Sequence, residues 1–232
     1  MICSIHQPQT FPWLGYFAKI IESDVFIFLD DVQFKKNEWQ NRNRIKTAGG
    51  WQWLTVPVIH RFGQLLHEVR INDRDKWAHR HLQSLKTHYA KAPYFPVYFP
   101  ELEKIYASDW KSLSEFNLRT ILWGMEKLDI KTRTLISSQM PQEQAGPAFT
   151  ADERLIHLTR AVGADCYLSG AGGHNYLHTD LFPASRILLK FQRFEHPAYS
   201  QLFGEFVSHL SVLDLLFNEG PHSRPLIERG IQ

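Results

Sequence analysis

Residues 25–29, Val-Phe-Ile-Phe-Leu, form an unbroken apolar run of five behind an acid, Asp24. A run of that length suits a strand buried on both faces, and such strands belong to parallel sheets covered by helices. The chain ahead of it agrees. Residues 1–5 are a short apolar strand, His6-Gln7-Pro8 ends it, and Pro12 punctuates the loop. Residues 13–22 then place Leu14, Phe17, Ala18 and Ile21 on one helical face. Strand, loop, helix, strand is one βαβ unit, right-handed by the usual rule.

The rest of the chain extends the pattern. Residues 51–58 are a third strand candidate, with Pro57 near the end. Residues 73–130 read as helical, in segments 74–89, 101–106 and 112–128. Residues 131–137 alternate as a strand, and 140–147 form a loop rich in Pro, Gly and Gln. Residues 152–162 are a helix closed by Gly163. Residues 165–168 are another buried strand, 187–191 a further candidate, and 207–217 a final amphipathic helix. The fold class is therefore α/β: a Rossmann-like (HUP-like) parallel sheet with helices on both faces. We expect a single domain over 1–232 with a mainly helical insertion at about 73–130.

Composition excludes several classes. The chain has 232 residues, 44% hydrophobic and 22% charged, which does not fit a disordered chain. No apolar run approaches the ~20 residues of a spanning helix. The start has no basic and apolar leader, and two cysteines, Cys3 and Cys166, are too few for a disulfide framework, so a cytoplasmic location is expected. A net charge of +2 argues against a nucleic-acid polymer as partner. A small molecule is the expected partner, and the oligomeric state stays open. The aromatic load is heavy, with 7 Trp, 8 Tyr and 16 Phe, many beside Pro, Gly, Asn and Arg. Rings outside periodic core positions can line a cleft. Trp13, Tyr16, Trp39 and Tyr176 fit that description, whereas Trp77 and Trp123 read as packing.

In parallel sheets ligands bind beyond the carboxyl ends of the strands. Three polar clusters fall at such ends: His6-Gln7-Pro8, then Asp30-Asp31 with Gln33, then residues 169–175. His6 could act as general acid/base or phosphate donor, or simply cap loop backbone. Asp30 and Asp31 could bind ligand hydroxyls or a divalent metal, with Asp31 a catalytic candidate; turn chemistry is the alternative. Residues 39–46, Trp-Gln-Asn-Arg-Asn-Arg-Ile-Lys, crowd charges and amides together. Arg42 and Arg44 could fork onto an anion, and Asn41 and Asn43 could read sugar hydroxyls or a base edge. The alternative is a solvated loop. Ser169, Gly170, Gly172, Gly173 and His174 form a Gly-rich turn able to cradle an anion, without dinucleotide or P-loop spacing. Cys166 reads as packing, and His79, His81 and His88 as solvated or rim residues.

These segments together resemble the WbqC-like family. The resemblance rests on residues 5–8 with 12–17, 24–34, 39–46 with 51–57, 92–95, 167–170 with Gly172, Gly173 and Tyr176, and 210–218. It implies a bacterial protein associated with O-antigen and other surface-polysaccharide metabolism, of undefined reaction. The opening is also similar to HUP-fold nucleotidylyltransferases such as pantothenate synthetase. That group's two phosphate-binding histidines are replaced here by Trp13 and Tyr16, while Gly15 is kept. What this second resemblance implies is a nucleotide-shaped cleft rather than adenylyl transfer by the usual route.

The expected function is group transfer on a nucleotide-linked substrate, with His6 as acid/base, Trp13 and Tyr16 stacking a ring, and Gly170 to Gly173 closing the pocket. One alternative is a metal-dependent glycosyltransferase built on Asp30 and Asp31. The other is a nucleotide- or sugar-binding module without turnover. A nucleotide and a divalent metal are both open as cofactors.

Overall fold

The computed structural model describes residues 1–141 and 150–232. Most of the 140–147 loop expected from sequence lies outside the described residues. The βαβ opening forms as expected: β1 (Ile2–His6), α1 (Leu14–Ile21) and β2 (Val25–Phe28), with β1 and β2 parallel from Cys3↔Val25 to His6↔Phe28. The chain then leaves the sheet. It builds an antiparallel hairpin, β3 (Arg42–Thr47) and β4 (Gly50–Thr55), and a short pair, β5 (Val58–Ile59) and β6 (Arg70–Ile71). Three helices follow: α2 (Trp77–Tyr89), α3 (Phe95–Ala107) and α4 (Leu113–Lys127). It returns through β7 (Arg133–Ile136), α5 (Ala151–Ala161), β8 (Cys166–Ser169), α6 (Leu181–Ala184) and β9 (Leu188–Phe191). The last helices are α7 (Val212–Glu219) and α8 (Ser223–Arg229).

The central sheet has five parallel strands in the order β7-β2-β1-β8-β9. This is the α/β, Rossmann-like arrangement, and both of its faces are covered. The period-two alternation of the strands divides the core. Phe26 and Phe28 point to a large cluster with Phe17 of α1, Phe116 and Trp123 of α4, and Phe217 of α7. Cys3, Ile5, Val25 and Ile27 point to a second cluster with Leu155 and Leu158 of α5 and Phe182 of α6. A strand buried on both sides must be apolar at every position, which is why residues 25–28 read as a solid run.

Four expectations need correction. Residues 51–58 do not add a strand to the central sheet: residues 50–55 pair antiparallel with residues 42–47 instead. The polar segment 39–46 is accordingly mostly strand, not loop, with the amides of Asn41 and Asn43 satisfied by neighbouring backbone. The second helix of the 73–130 block starts at Phe95 rather than 101, because Pro96 sits in the first turn where its missing N–H costs nothing. His81 is no rim residue. It is buried and bonds Tyr106 Oη at 3.1 Å and the Thr55 carbonyl at 3.0 Å, and burial pushes its pKa down to about 4.

Candidate functional site

Numbered by their order in the chain, the sheet strands run third, second, first, fourth, fifth. The direction of chain progress reverses between β1 and β8. A crevice forms outside the carboxyl ends of two such strands because their connections depart to opposite sides. Here it is a cavity of about 220 Å³. His6, the last residue of β1, lines it with Trp13, Gly15 and Tyr16 at the start of α1. Gly170, Ala171 and Gly172 close it beyond β8, and Gln192 and Phe194 beyond β9. Chain segments far apart in sequence thus converge because parallel neighbours end on the same edge of the sheet.

His6 is held against the Tyr16 ring, with centroids 4.8 Å apart, and Nε2 lies 3.4 Å from Gln9 Nε2. With Gln9 donating to Nε2, the proton sits on Nδ1, and Nδ1 is buried with no hydrogen-bond partner among the described residues. Burial, reinforced by the cation of Lys19, pushes the His6 pKa well below the usual histidine range. The imidazole is therefore neutral at pH 7 and offers one unpaired N–H. Lys19 lies on the next turn of α1, buried, donating to the Ile5 carbonyl at 3.2 Å; desolvation brings its own pKa down to about 7.

The aromatics around the cavity differ in role. Tyr16 is core as well as wall: it is 2% exposed, and its hydroxyl donates to the Gln7 carbonyl at 3.1 Å. Trp13 is the rim. Its indole lies over Gly15, where any Cβ would collide with it. The room that glycine leaves at the helix start is therefore filled by the protein's own ring rather than left for a phosphate. The outer side of that indole stacks on His209 at 4.8 Å and His196 at 6.2 Å. At Gly170 and Gly172, by contrast, a Cβ would meet nothing within 4 Å, so these glycines leave open space on the cavity wall. Gly173 is a packing glycine, pressed on the Ser169 hydroxyl. Ser169 is buried and donates to the Gly170 carbonyl at 3.2 Å.

Other candidates lie elsewhere. His174 stacks on Phe191 at 3.5 Å and lines a separate hollow with Leu189, and Tyr176 is 65% exposed. Gln33 is exposed and pairs by backbone with Leu65. The Asp30 carboxylate accepts from Ser137 Oγ at 3.1 Å, Ser138 N at 3.0 Å and Ser138 Oγ at 2.7 Å. Asp31 pairs with Arg154 and accepts from Ser137. The acids thus tie the end of β2 to the end of β7 and to α5. Among the described residues no group of three or more His, Cys, Asp or Glu is placed to hold a metal ion.

On the hairpin, residue parity sorts the candidates. Asn41 and Asn43 are buried. Asn43 Nδ2 donates to the carbonyls of Thr10 at 3.2 Å and Phe11 at 2.7 Å, and Asn41 Nδ2 to Val56 at 3.1 Å. Their amides read the protein's own backbone, not a sugar or a base. Gln7 joins the same network by accepting from Gln40. Arg42 and Arg44 face the other way. Arg42 stacks over Trp53 at 4.1 Å, and Arg44 lies 5.5 Å from Trp39 and 5.1 Å from Trp51.

The WbqC-like protein family matches residues 7–225 of this chain. The chain belongs to the WbqC-like family. It is also 36% identical over 221 residues to an uncharacterized protein of Mycobacterium tuberculosis, an alignment covering 94% of this chain and 93% of that one. No solved structure matches it at significance. In this WbqC-like chain, Gln192 and Phe194 are cavity residues that sequence reasoning missed. Gln192 is buried and its amide donates to the Gly15 carbonyl at 3.0 Å and Glu22 at 3.1 Å. The signal was available: Gln192 directly follows an apolar strand, as His6-Gln7 does. His196 and His209 were missed as well, and only their stacking on Trp13 brings them to the rim. No helix is long and apolar enough to cross a membrane among the described residues.

Proposed function

We propose that this WbqC-like protein is a group-transfer enzyme of surface-polysaccharide or nucleotide-sugar metabolism, binding a nucleotide-linked substrate at the β1/β8 crevice. One observation carries the reading: the switch-point cavity is walled by a half-buried histidine whose buried Nδ1 has no partner among the described residues. An unpaired buried N–H is costly unless a ligand completes it. A neutral imidazole donor suits an oxygen that gains negative charge as a bond to a phosphate or glycosyl leaving group breaks. At about 220 Å³ the cavity is smaller than the ~300–1,000 Å³ that encloses a drug-sized ligand. It seats one ring, base or sugar, with the rest of the substrate passing over Trp13. Gly170 and Gly172 give that ring close access to backbone N–H groups.

The test is a thermal-shift titration with nucleoside diphosphates and nucleotide sugars, because a ligand bound only by the folded state raises apparent stability. A saturable upshift that disappears in His6→Ala, with the circular dichroism unchanged, is the expected result. The absence of any shift, or a shift unaltered by His6→Ala, would sink the proposal.

A further inference from the structure

The outer face of the β3–β4 hairpin carries six side chains that the switch-point cavity does not use: Trp39, Arg42, Arg44, Lys46, Trp51 and Trp53. Strand pairing sets Arg44 opposite Trp53 and Lys46 opposite Trp51, and Trp39 leads into β3. Trp39 and Trp53 lie 5.5 Å apart, and Trp53 and Trp51 5.4 Å. The Arg42 guanidinium lies over Trp53, and that of Arg44 lies near both Trp39 and Trp51. Trp51 is still 43% exposed.

The charge balance of this face is unusual. Among the described residues neither arginine pairs with a carboxylate; Arg42 makes no side-chain hydrogen bond, and Arg44 makes one, to the His209 carbonyl at 3.1 Å. The Nε atoms of both are buried without a partner. Burial with no acid to offset it pulls Arg44 below the usual arginine range. Arginine cannot shed its proton to escape this, as a buried lysine can. Stacking on indoles offsets only part of the desolvation. A guanidinium held over a ring face spends no N–H on it and keeps its donors for a planar, bidentate anion, and a carboxylate matches that geometry. Three indoles at large mutual angles offer separate faces rather than the parallel shelves on which successive nucleobases stack.

We infer that the outer face of the β3–β4 hairpin binds a carboxylated saccharide chain, with Trp51 and Trp53 stacking sugar rings while Arg42 and Arg44 fork onto uronate carboxylates. Strand geometry spaces the two arginines by roughly 6.5–7 Å, so they engage neighbouring charged groups of one ligand. The inference does not rest on what occupies the cavity.

The experiment titrates the full-length protein with a galacturonic acid tetrasaccharide, read by tryptophan fluorescence and calorimetry. A neutral glucose tetrasaccharide and a short oligothymidylate serve as comparisons. Saturable binding of the uronate is expected. Arg42→Lys and Arg44→Gln should each weaken it about tenfold, the first by losing the fork while keeping charge. Trp51→Ala, at an exposed position that folding tolerates, should weaken it by several fold. His6→Ala should leave it unchanged, which separates this site from the cavity. No uronate binding, equal binding of the neutral sugar, or tighter binding of the oligothymidylate would each overturn the inference. Wild-type affinity in Arg42→Lys would do the same.

Discussion

Segment 41–44 shows one sequence doing two jobs. Asn41 and Asn43 point inward and spend their amides on the backbone at Thr10, Phe11 and Val56. Arg42 and Arg44, one residue out of phase, point outward and find only indoles and a single carbonyl. The composition is uniformly polar, yet one face is satisfied and the other is not. A fully paired buried network holds geometry, whereas unpaired donors at a surface await something to bind. The inner face has a clear structural task. It clamps the loop after β1, with help from Asn117, whose amide donates to the carbonyls of Pro8 at 3.3 Å and Gln40 at 2.7 Å. That loop carries the chain from His6 to Trp13, so the inner face of the hairpin positions the cavity.

The comparison breaks most visibly on the inner side. Asn117→Ala removes both donors and the acceptor for Thr10 Oγ1 at 2.8 Å, leaving buried groups unpaired. A loss of about 2–4 kcal/mol in urea unfolding is expected, with Asn43→Ala close behind. An unchanged midpoint would mean the loop holds itself.

Next comes a cation handled in the opposite way to the arginines. Lys19 is also without a salt bridge, but burial takes its pKa to about 7, below the unfolded value of about 10.4, so the folded state binds this proton less tightly. The stability that the neutral amine permits is present above the unfolded pKa and is lost as pH falls toward about 7. Lys19→Met should escape that loss and exceed wild type by on the order of 2 kcal/mol at pH 7, with the gap closing toward pH 10. A gap independent of pH would assign the effect to packing.

The outward arginines should matter less to folding. Arg42→Gln should change stability by under about 1 kcal/mol, since it removes one stacked contact and no hydrogen bond. A larger loss would make the arginine–indole ladder a structural device and erase the contrast between the faces.

The smallest effect concerns the rim. Burial lowers the pKa of His196, whose Nε2 accepts from the His209 backbone N–H at 3.1 Å. Its contribution is present above the ordinary histidine value of about 6.5 and is lost as pH falls below it. Trp13 fluorescence should shift between pH 7 and 5 in wild type and stay flat in His196→Gln. A shift in both would assign the titration elsewhere.

Much of the frame was legible from residue order. The solid apolar run of β2, the amphipathic face of α1 and the glycine after α5 each carry a local signal; Gly163 has the positive φ of 75° that such a helix end needs. The hairpin was not legible. Its β3 alternates polar with polar, because the inward partners are Thr10 and Phe11 carbonyls more than thirty residues upstream, so the usual apolar alternation has only Ile45 to show. The acids after β2 illustrate the same limit. Asp30-Asp31 at a strand end has the look of a site, and only the fold brings Ser137, Ser138 and Arg154 to occupy it.

The sequence by itself determined the parallel sheet, because a strand buried on both faces must be apolar at every position and that requirement is written locally. It also marked His6 and the Gly170–Gly172 turn as strand-end residues. Only tertiary structure decided which of the strand ends share a crevice, since that depends on β1 and β8 being neighbours. It also decided which polar side chains in residues 39–46 are spent inside the protein. The donors of asparagine and arginine look alike in a one-dimensional string; whether a carbonyl waits within hydrogen-bond reach is a property of the packed chain.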